Sequence, residues 1–226
     1  MLQIIYQDEH LVVINKPHGL LVHRSPIAAD AEEFAVQMLR DQIQQKVFPV
    51  HRIDRKTSGI LVFGLNGEIA RLIQEQLEDH ATKKTYLAIV RGYFPDSLEL
   101  DYPLTNDTGK VQEALTHFKC LKHTEVDVPF GKHATSRYSL IEAYPKTGRM
   151  HQIRKHLKHL RHPIIGDRPH GCNKQNRLFK AQWNMTTMML HAQKLNLSHP
   201  ITNEPLHLEA PLFSTFKEMI DTLKFD

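Results

Sequence analysis

Cysteine is scarce in this chain: two residues, Cys120 and Cys172, among 226. Two cysteines cannot staple a chain of that size, and neither has a partner at metal-ligand spacing, so a disulfide framework and a cysteine-built zinc module are both excluded. Long apolar runs are missing as well; none approaches the roughly 18 residues that a membrane-spanning helix needs. The opening Met1-Leu2-Gln3-Ile4-Ile5-Tyr6-Gln7-Asp8-Glu9 has no basic segment ahead of an apolar one, and no secretory leader is expected. A cytoplasmic protein without a membrane partner is the default reading. The chain also lacks an internal repeat, a Gly/Ser linker and a Gly-rich phosphate loop. Residues 1–226 are therefore expected to form a single domain, monomeric by default and long enough to bury a real core. The hydrophobic share of 41% and charged share of 24% fit an ordinary globular protein.

Acid is missing locally. Between Ala143 and Asn203 stand eleven Lys or Arg and one acid, Asp167, a charge of +10. The rest carries eighteen basic residues and twenty-four acids, or −6, which leaves +4 overall. Cations gathered in one stretch suggest a polyanion partner, because neutralising phosphates releases condensed counterions. A merely solvated basic face is the plainer alternative.

What is present reads as short elements. Leu2–Tyr6 and Leu11–Ile14 are strand-like, joined by a turn at Gln7 to His10, and residues 15–19 read as a loop. Asp30 with Glu33 has the spacing of a capping box, ahead of a helix from about Ala31 to Lys46. Ile60–Phe63 is an apolar run suited to a buried strand. Asn66 can cap a helix whose apolar stripe is Ile69, Leu72, Ile73 and Leu77. Thr85–Arg91, Ala114–Leu121, Ser136–Ala143 and Met188–Leu197 read as strands. Arg149–Leu160 reads as a helix with Ile153, Leu157 and Leu160 inward and most of its charge outward. Ser214 is placed as the cap of a last helix. Strands in runs with scattered helices imply an α+β fold with a mixed, largely antiparallel sheet.

One stretch carries the chemistry: His51-Arg52-Ile53-Asp54-Arg55-Lys56-Thr57-Ser58-Gly59. It sets one carboxylate among three cations, beside residues suited to a tight turn. Nearby positive charge favours an ionised acid. Read alone, this is a salt-bridged turn ahead of a strand. Read whole, it resembles the HRLDRxTSG signature of the RluA family of pseudouridine synthases, with Ile53 in place of the usual Leu. Further blocks extend the likeness from about Asn15 to Ala192. Asn15-Lys16-Pro17-His18-Gly19-Leu20-Leu21-Val22-His23 resembles the family's NKPxGLxVH block. Lys83-Lys84-Thr85-Tyr86-Leu87-Ala88 resembles its basic–tyrosine strand motif. Thr147-Gly148-Arg149-Met150-His151-Gln152-Ile153-Arg154 resembles TGRxHQIR, and Leu190-His191-Ala192 a late LHA block. Residues 135–138, 166–171 and 176–179 are similar to the TruC branch of that family, which modifies position 65 of tRNA.

The resemblance implies a pseudouridine synthase fold with helices and loops around a central cleft, and no added amino-terminal RNA-binding domain. It implies Asp54 as nucleophile, Tyr86 against the target uracil, and Arg154 paired with the catalytic carboxylate. Arg52 would fill the space left by a flipped nucleotide, and Arg149, His151 and Lys155 would touch the substrate. The implied partner is RNA, tRNA ahead of ribosomal RNA, and not DNA. A non-catalytic RNA-binding protein on the same fold is a further alternative. The reaction uses no cofactor and no metal. His151, His156, His159 and His162 follow one another at offsets of five, three and three without a ligating acid, so phosphate contact or solvation is expected of them.

Overall fold

The structure, a computed structural model, describes residues 1–23, 33–79 and 82–225. It divides into two compact units: residues 1–84 with 192–211, and residues 85–191 with 212–226.

In the first unit, β1 (Gln3–Gln7) pairs antiparallel with β2 (Leu11–Lys16). Asp8 closes the turn between them, its Oδ1 accepting from His10 N and Leu11 N. Strand β2 then pairs antiparallel with β4 (Ser58–Gly64), which also takes the short β3 (Phe48–Pro49). Helix α1 (Ala35–Ile43) follows β2 in the chain, and α2 (Gly67–Glu78) follows β4. Because side chains alternate along a strand, a sheet covered on both faces shows unbroken apolar runs. That is the case here. Leu11, Val13, Ile60 and Val62 pack with Ile69 and Ile73 of α2. Val12, Ile14, Leu61 and Phe63 pack with Ala35 and Leu39 of α1. The Ile60–Phe63 run is thus the buried strand expected of it. Near the end of this unit, β11 (Leu190–Ser198), whose first two residues belong to the second unit, pairs with β12 (Pro205–Glu209).

Asn66 caps α2 as expected, its Oδ1 accepting from Ile69 N at 2.9 Å. Helix α1 is shorter than expected. Glu33 and Phe34 are not helical, and Phe34 forms an isolated bridge with Leu21 instead. The Asp30 half of the capping box lies outside the described residues. Asn15 and Lys16, read as loop, extend β2 opposite Ile60 and Gly59.

In the second unit, β5 (Lys83–Arg91, from Thr85 onward), β10 (Ser136–Pro145), β9 (Leu115–Val126) and β6 (Ser97–Asp101) form an antiparallel sheet in that order. A small hairpin joins β7 (Leu104–Thr105) to β8 (Val111–Gln112). Helices α3 (Gln152–His159), α4 (Asn173–Trp183) and α5 (Ser214–Thr222) bury Ile153, Leu157, Phe179, Phe216 and Met219 in this unit's core. The fold is α+β with flanking helices.

Three expectations need correction here. Helix α3 starts at Gln152, three residues late, because Gln152 clamps the preceding loop. Its Oε1 accepts from Thr147 Oγ1 and Arg149 N, while its Nε2 donates to Leu115 O and Thr116 Oγ1. The helix also turns charge inward: Arg154 is 5% exposed and His156 fully buried. Ser214 is the first residue of α5, with Phe213 at the cap position and no side-chain cap bond.

Candidate active site

The signature stretch is the connection between β3 and β4. Its start is tied down by Val62, since Val50 N donates to Val62 O and Val62 N donates to His51 Nε2 at 3.2 Å, and its end enters β4, where Gly59 pairs with Lys16 of β2. An imidazole that accepts through Nε2 is neutral, and burial, helped by the charge of Lys84, pushes His51 down to about 3. Ile53 is buried, and Thr57 N donates to Asp54 O at 3.0 Å to close the turn. Asp54 is half-buried within this turn, and Arg52 and Arg55 are exposed. Gly59 ends the stretch with φ +107, and a Cβ there would collide with the Ala192 backbone of β11. The signature's last residue is glycine because two backbones meet there.

Lys16 braces the Asp54 turn, a role that sequence reasoning left unassigned. It is fully buried, and its ammonium donates to Pro17 O, Leu20 O and Arg55 O at 2.9, 2.8 and 3.2 Å. Arg55 locks the same two loops together: Gly19 N donates to Arg55 O, and Arg55 Nε donates to Gly19 O. Burial pushes Lys16 down to about 7 against the opposing charge of Asp54. His18, in the same loop, is pushed down to about 4 by burial and by Lys16 and Lys56.

The second unit carries the other expected residues. Tyr86 is on β5, opposite Ala143 of β10, half-buried against the unit's core. Arg154 projects from α3 into a buried, side-on pair with Asp167: Nε donates to Oδ2 at 2.7 Å and Nη2 to Oδ1 at 2.8 Å. Burial alone would raise the Asp167 carboxyl. The bonds and charge of Arg154, with the His170 N–H, outweigh it and hold Asp167 below its ordinary value. The partner that the fold gives Arg154 inside its own unit is thus an acid thirteen residues downstream.

Arg149, His151 and Lys155 gather around the start of α3. Arg149 Nε donates to Glu113 O, and Lys155 Nζ donates to Thr105 O. His151 takes a left-handed conformation, φ 57, and its Nδ1 lies 2.9 Å from His170 Nε2. Of the other histidines, His156 is buried, His162 is half-buried and His159 is exposed. His156 bonds Thr116 Oγ1 and Tyr102 O, His159 stacks on Tyr102 with centroids 3.8 Å apart, and His162 bonds Arg91 O. His156 is therefore structural, against the expectation of solvation. Among the described residues no group of three His, Cys, Asp or Glu side chains is placed to hold a metal ion.

A family model described as RNA pseudouridylate synthase matches residues 10–159, from the start of β2 to the end of α3. The fold and these motifs define an RNA-modifying isomerase, and the chain belongs to the RNA pseudouridylate synthase family. Within that family it falls in the RluA group, on the TruC branch. It is 46% identical over 231 residues to the tRNA pseudouridine synthase C of Vibrio cholerae, covering 97% of this chain and 95% of that one. It is 48% identical over 221 residues to the tRNA pseudouridine synthase C of Haemophilus ducreyi, covering 93% and 91%. Among solved structures, human RNA pseudouridylate synthase domain containing 4 matches with a TM-score of 0.75 at 26% identity, covering 98% of this chain and 93% of that one. Human RNA pseudouridylate synthase domain containing 1, at 21% identity and a TM-score of 0.74, shares the fold.

Proposed function

We propose that this enzyme converts one uridine of tRNA, at position 65, to pseudouridine, with Asp54 as its nucleophile. The observation that carries the reading is the braced turn. A carboxylate is held in a loop fixed at both ends, in a chain 48% identical to an enzyme named tRNA pseudouridine synthase C. The reaction breaks N1–C1′, turns the uracil and joins C5 to C1′; C5 loses a proton and N1 gains one. The uridine must leave its stack to be reached. Asp54 attacks at C1′ or C6, forming a covalent intermediate. Tyr86 packs against the base and assists removal of the C5 proton. Arg154 orients the carboxylate, and Arg52 occupies the vacated place in the RNA.

Charge supports the RNA partner. Asp167, the one acid between Ala143 and Asn203, is buried and spent on Arg154. Lys158, Arg161, Arg168, Lys174, Arg177 and Lys180 of the same stretch are exposed. Arg149, His151 and Lys155, at the start of α3, are the nearer RNA contacts. Affinity for tRNA should therefore fall steeply with salt.

The test is tritium release from tRNA labelled at C5 of uridine. Asp54→Asn should lose about a thousandfold or more of the rate, as expected for a removed nucleophile. Full activity in that variant removes Asp54 from the mechanism. A pseudouridine map of cells lacking the protein tests the substrate; loss confined to ribosomal RNA rejects tRNA.

A further inference from the structure

We propose that Tyr102 and His159 form a stacking platform for an unpaired base of the bound tRNA, apart from the target uridine. The proposal rests on the reading that tRNA is the substrate.

The two rings lie nearly parallel, with centroids 3.8 Å apart and 26° between their planes. Both are at the surface: Tyr102 is 39% exposed, and His159 is exposed. With Tyr102 across one face of the imidazole, the exposure of His159 belongs to its other face and its edge. Every nucleobase has a π-face of its own, so a ring presented in this way accepts a base whatever its identity.

The platform is fixed in place before anything binds. Tyr102 N donates to Ala114 O at 3.0 Å, and Tyr102 O lies 3.0 Å from Nε2 of the buried His156. His156 is held in turn by Thr116 Oγ1, 3.0 Å from its Nδ1. His159 ends α3, whose other face buries Ile153 and Leu157 in the core. Both rings therefore hang from rigid elements, and a base that stacks on them has no loop to order first. Rings that served only to cover the His156 bonds would gain most by being buried, and neither is.

The charge around the pair suits a polyanion. Lys155 stands one helical turn before His159 on the same face of α3, and its Nζ donates to Thr105 O, three residues past Tyr102. Lys158 and Arg161 flank His159 and are exposed, while Asp101, next to Tyr102, is the opposing charge. Phosphates on either side of a stacked base would meet these cations. Strand register sets the distance from the chemistry. Tyr86 pairs with Ala143, Ala143 with Phe118, and Phe118 with Leu98. Tyr102 thus stands three strands across the sheet from Tyr86 and, counted from Leu98, four residues further along, about 20 Å away in all. The base it receives belongs to RNA flanking the target and is not the target itself.

The experiment compares wild type with His159→Ala, His159→Phe, Tyr102→Ala and Lys158→Ala in the full chain. Each is measured for tRNA Kd over a salt series, and for kcat and KM by tritium release. His159→Ala should weaken binding and raise KM about tenfold, with kcat within about threefold. Tyr102→Ala, which removes the backing ring, should lose about as much. His159→Phe keeps a ring and should bind within about twofold of wild type. The slope of log Kd against log salt should be unaltered in His159→Ala and shallower by about one in Lys158→Ala, a phosphate contact. Wild-type binding in His159→Ala or in folded Tyr102→Ala overturns the proposal. A like loss in His159→Phe with a shallower slope also overturns it, since His159 would then hold a phosphate and not a base. Should Tyr102→Ala not fold, the two variants of the exposed His159 decide. A wild type that fails to bind tRNA overturns the substrate reading and the proposal with it. Normal wild-type binding beside an unaltered His159→Ala overturns the proposal alone.

Discussion

Lys16 shows how a single buried charge can be structural and still sit beside the chemistry. Its ammonium has three protons and three backbone carbonyl acceptors, from both loops that flank Asp54. Two effects oppose each other in Lys16→Met. Removing the ammonium relieves its desolvation, yet it leaves Pro17 O and Leu20 O without a donor, at about 1–3 kcal/mol each when buried, while Arg55 O keeps only Gly19 N. The acceptors outnumber the charge, so a net loss of roughly 2 kcal/mol is expected by urea unfolding. Lys16→Arg should not restore it, because a flat fork cannot reach three carbonyls as a compact ammonium does. A more stable Lys16→Met would show that desolvation dominates. The role was not legible in the sequence. Lys16 stands in a quoted block, but only the fold shows that its side chain turns inward under the next loop. Asp167 is a similar case, a lone acid in a basic stretch whose partner is set by packing between α3 and the turn at Gly166. Asp54 differs, because its nine-residue neighbourhood is specific by itself.

At the scale of elements, local signals were legible and distant ones were not. Asn66 caps α2 because a side-chain oxygen three residues ahead of an amide is a local geometry. Asn66→Ala should cost about 1 kcal/mol in chemical unfolding, and a change within a few tenths would remove the cap as a stabiliser. The β4 strand was legible from its unbroken apolar run. The start of α3 was not, since the Gln152 clamp reaches back to Leu115 and Thr116 on β9. Nor was α4, whose sequence is mostly polar and whose buried Gln175 donates to the hydroxyl of Tyr138 on β10. Gly59 joins the two kinds. Its place in the signature was visible, but its reason is the approach of β11. Gly59→Ala meets both a positive φ and a backbone collision. It should cost roughly 3 kcal/mol or more, read as a fall in melting midpoint without loss of helix content in the surviving folded fraction. A midpoint unchanged within a degree would mean the backbones can part freely.

At the scale of the whole molecule, the histidines set the acid limit of stability. Burial pushes His51 down to about 3, helped by Lys84, and His18 down to about 4, helped by Lys16 and Lys56. Burial and then the charge of Arg154 push His170 to about 4 as well. A histidine lowered in the folded state stays neutral where the unfolded chain, near 6.5, already binds a proton. Its contribution is therefore fully present above pH 6.5 and is lost as pH falls toward 3–4. Asp8 and Asp167, both held below their ordinary values, add losses of the same sign at lower pH. Around pH 5 the three histidines together should make unfolding take up roughly three protons, a loss of about 4 kcal/mol per pH unit. Urea unfolding at pH 7, 6 and 5, with calorimetric proton uptake in two buffers, measures this directly. His51→Gln keeps an acceptor for Val62 N while removing the titration, so it should flatten the slope by about a third. Uptake of one proton or fewer in the wild type would mean that these imidazoles reach solvent, and that the turn carrying Asp54 opens without global unfolding.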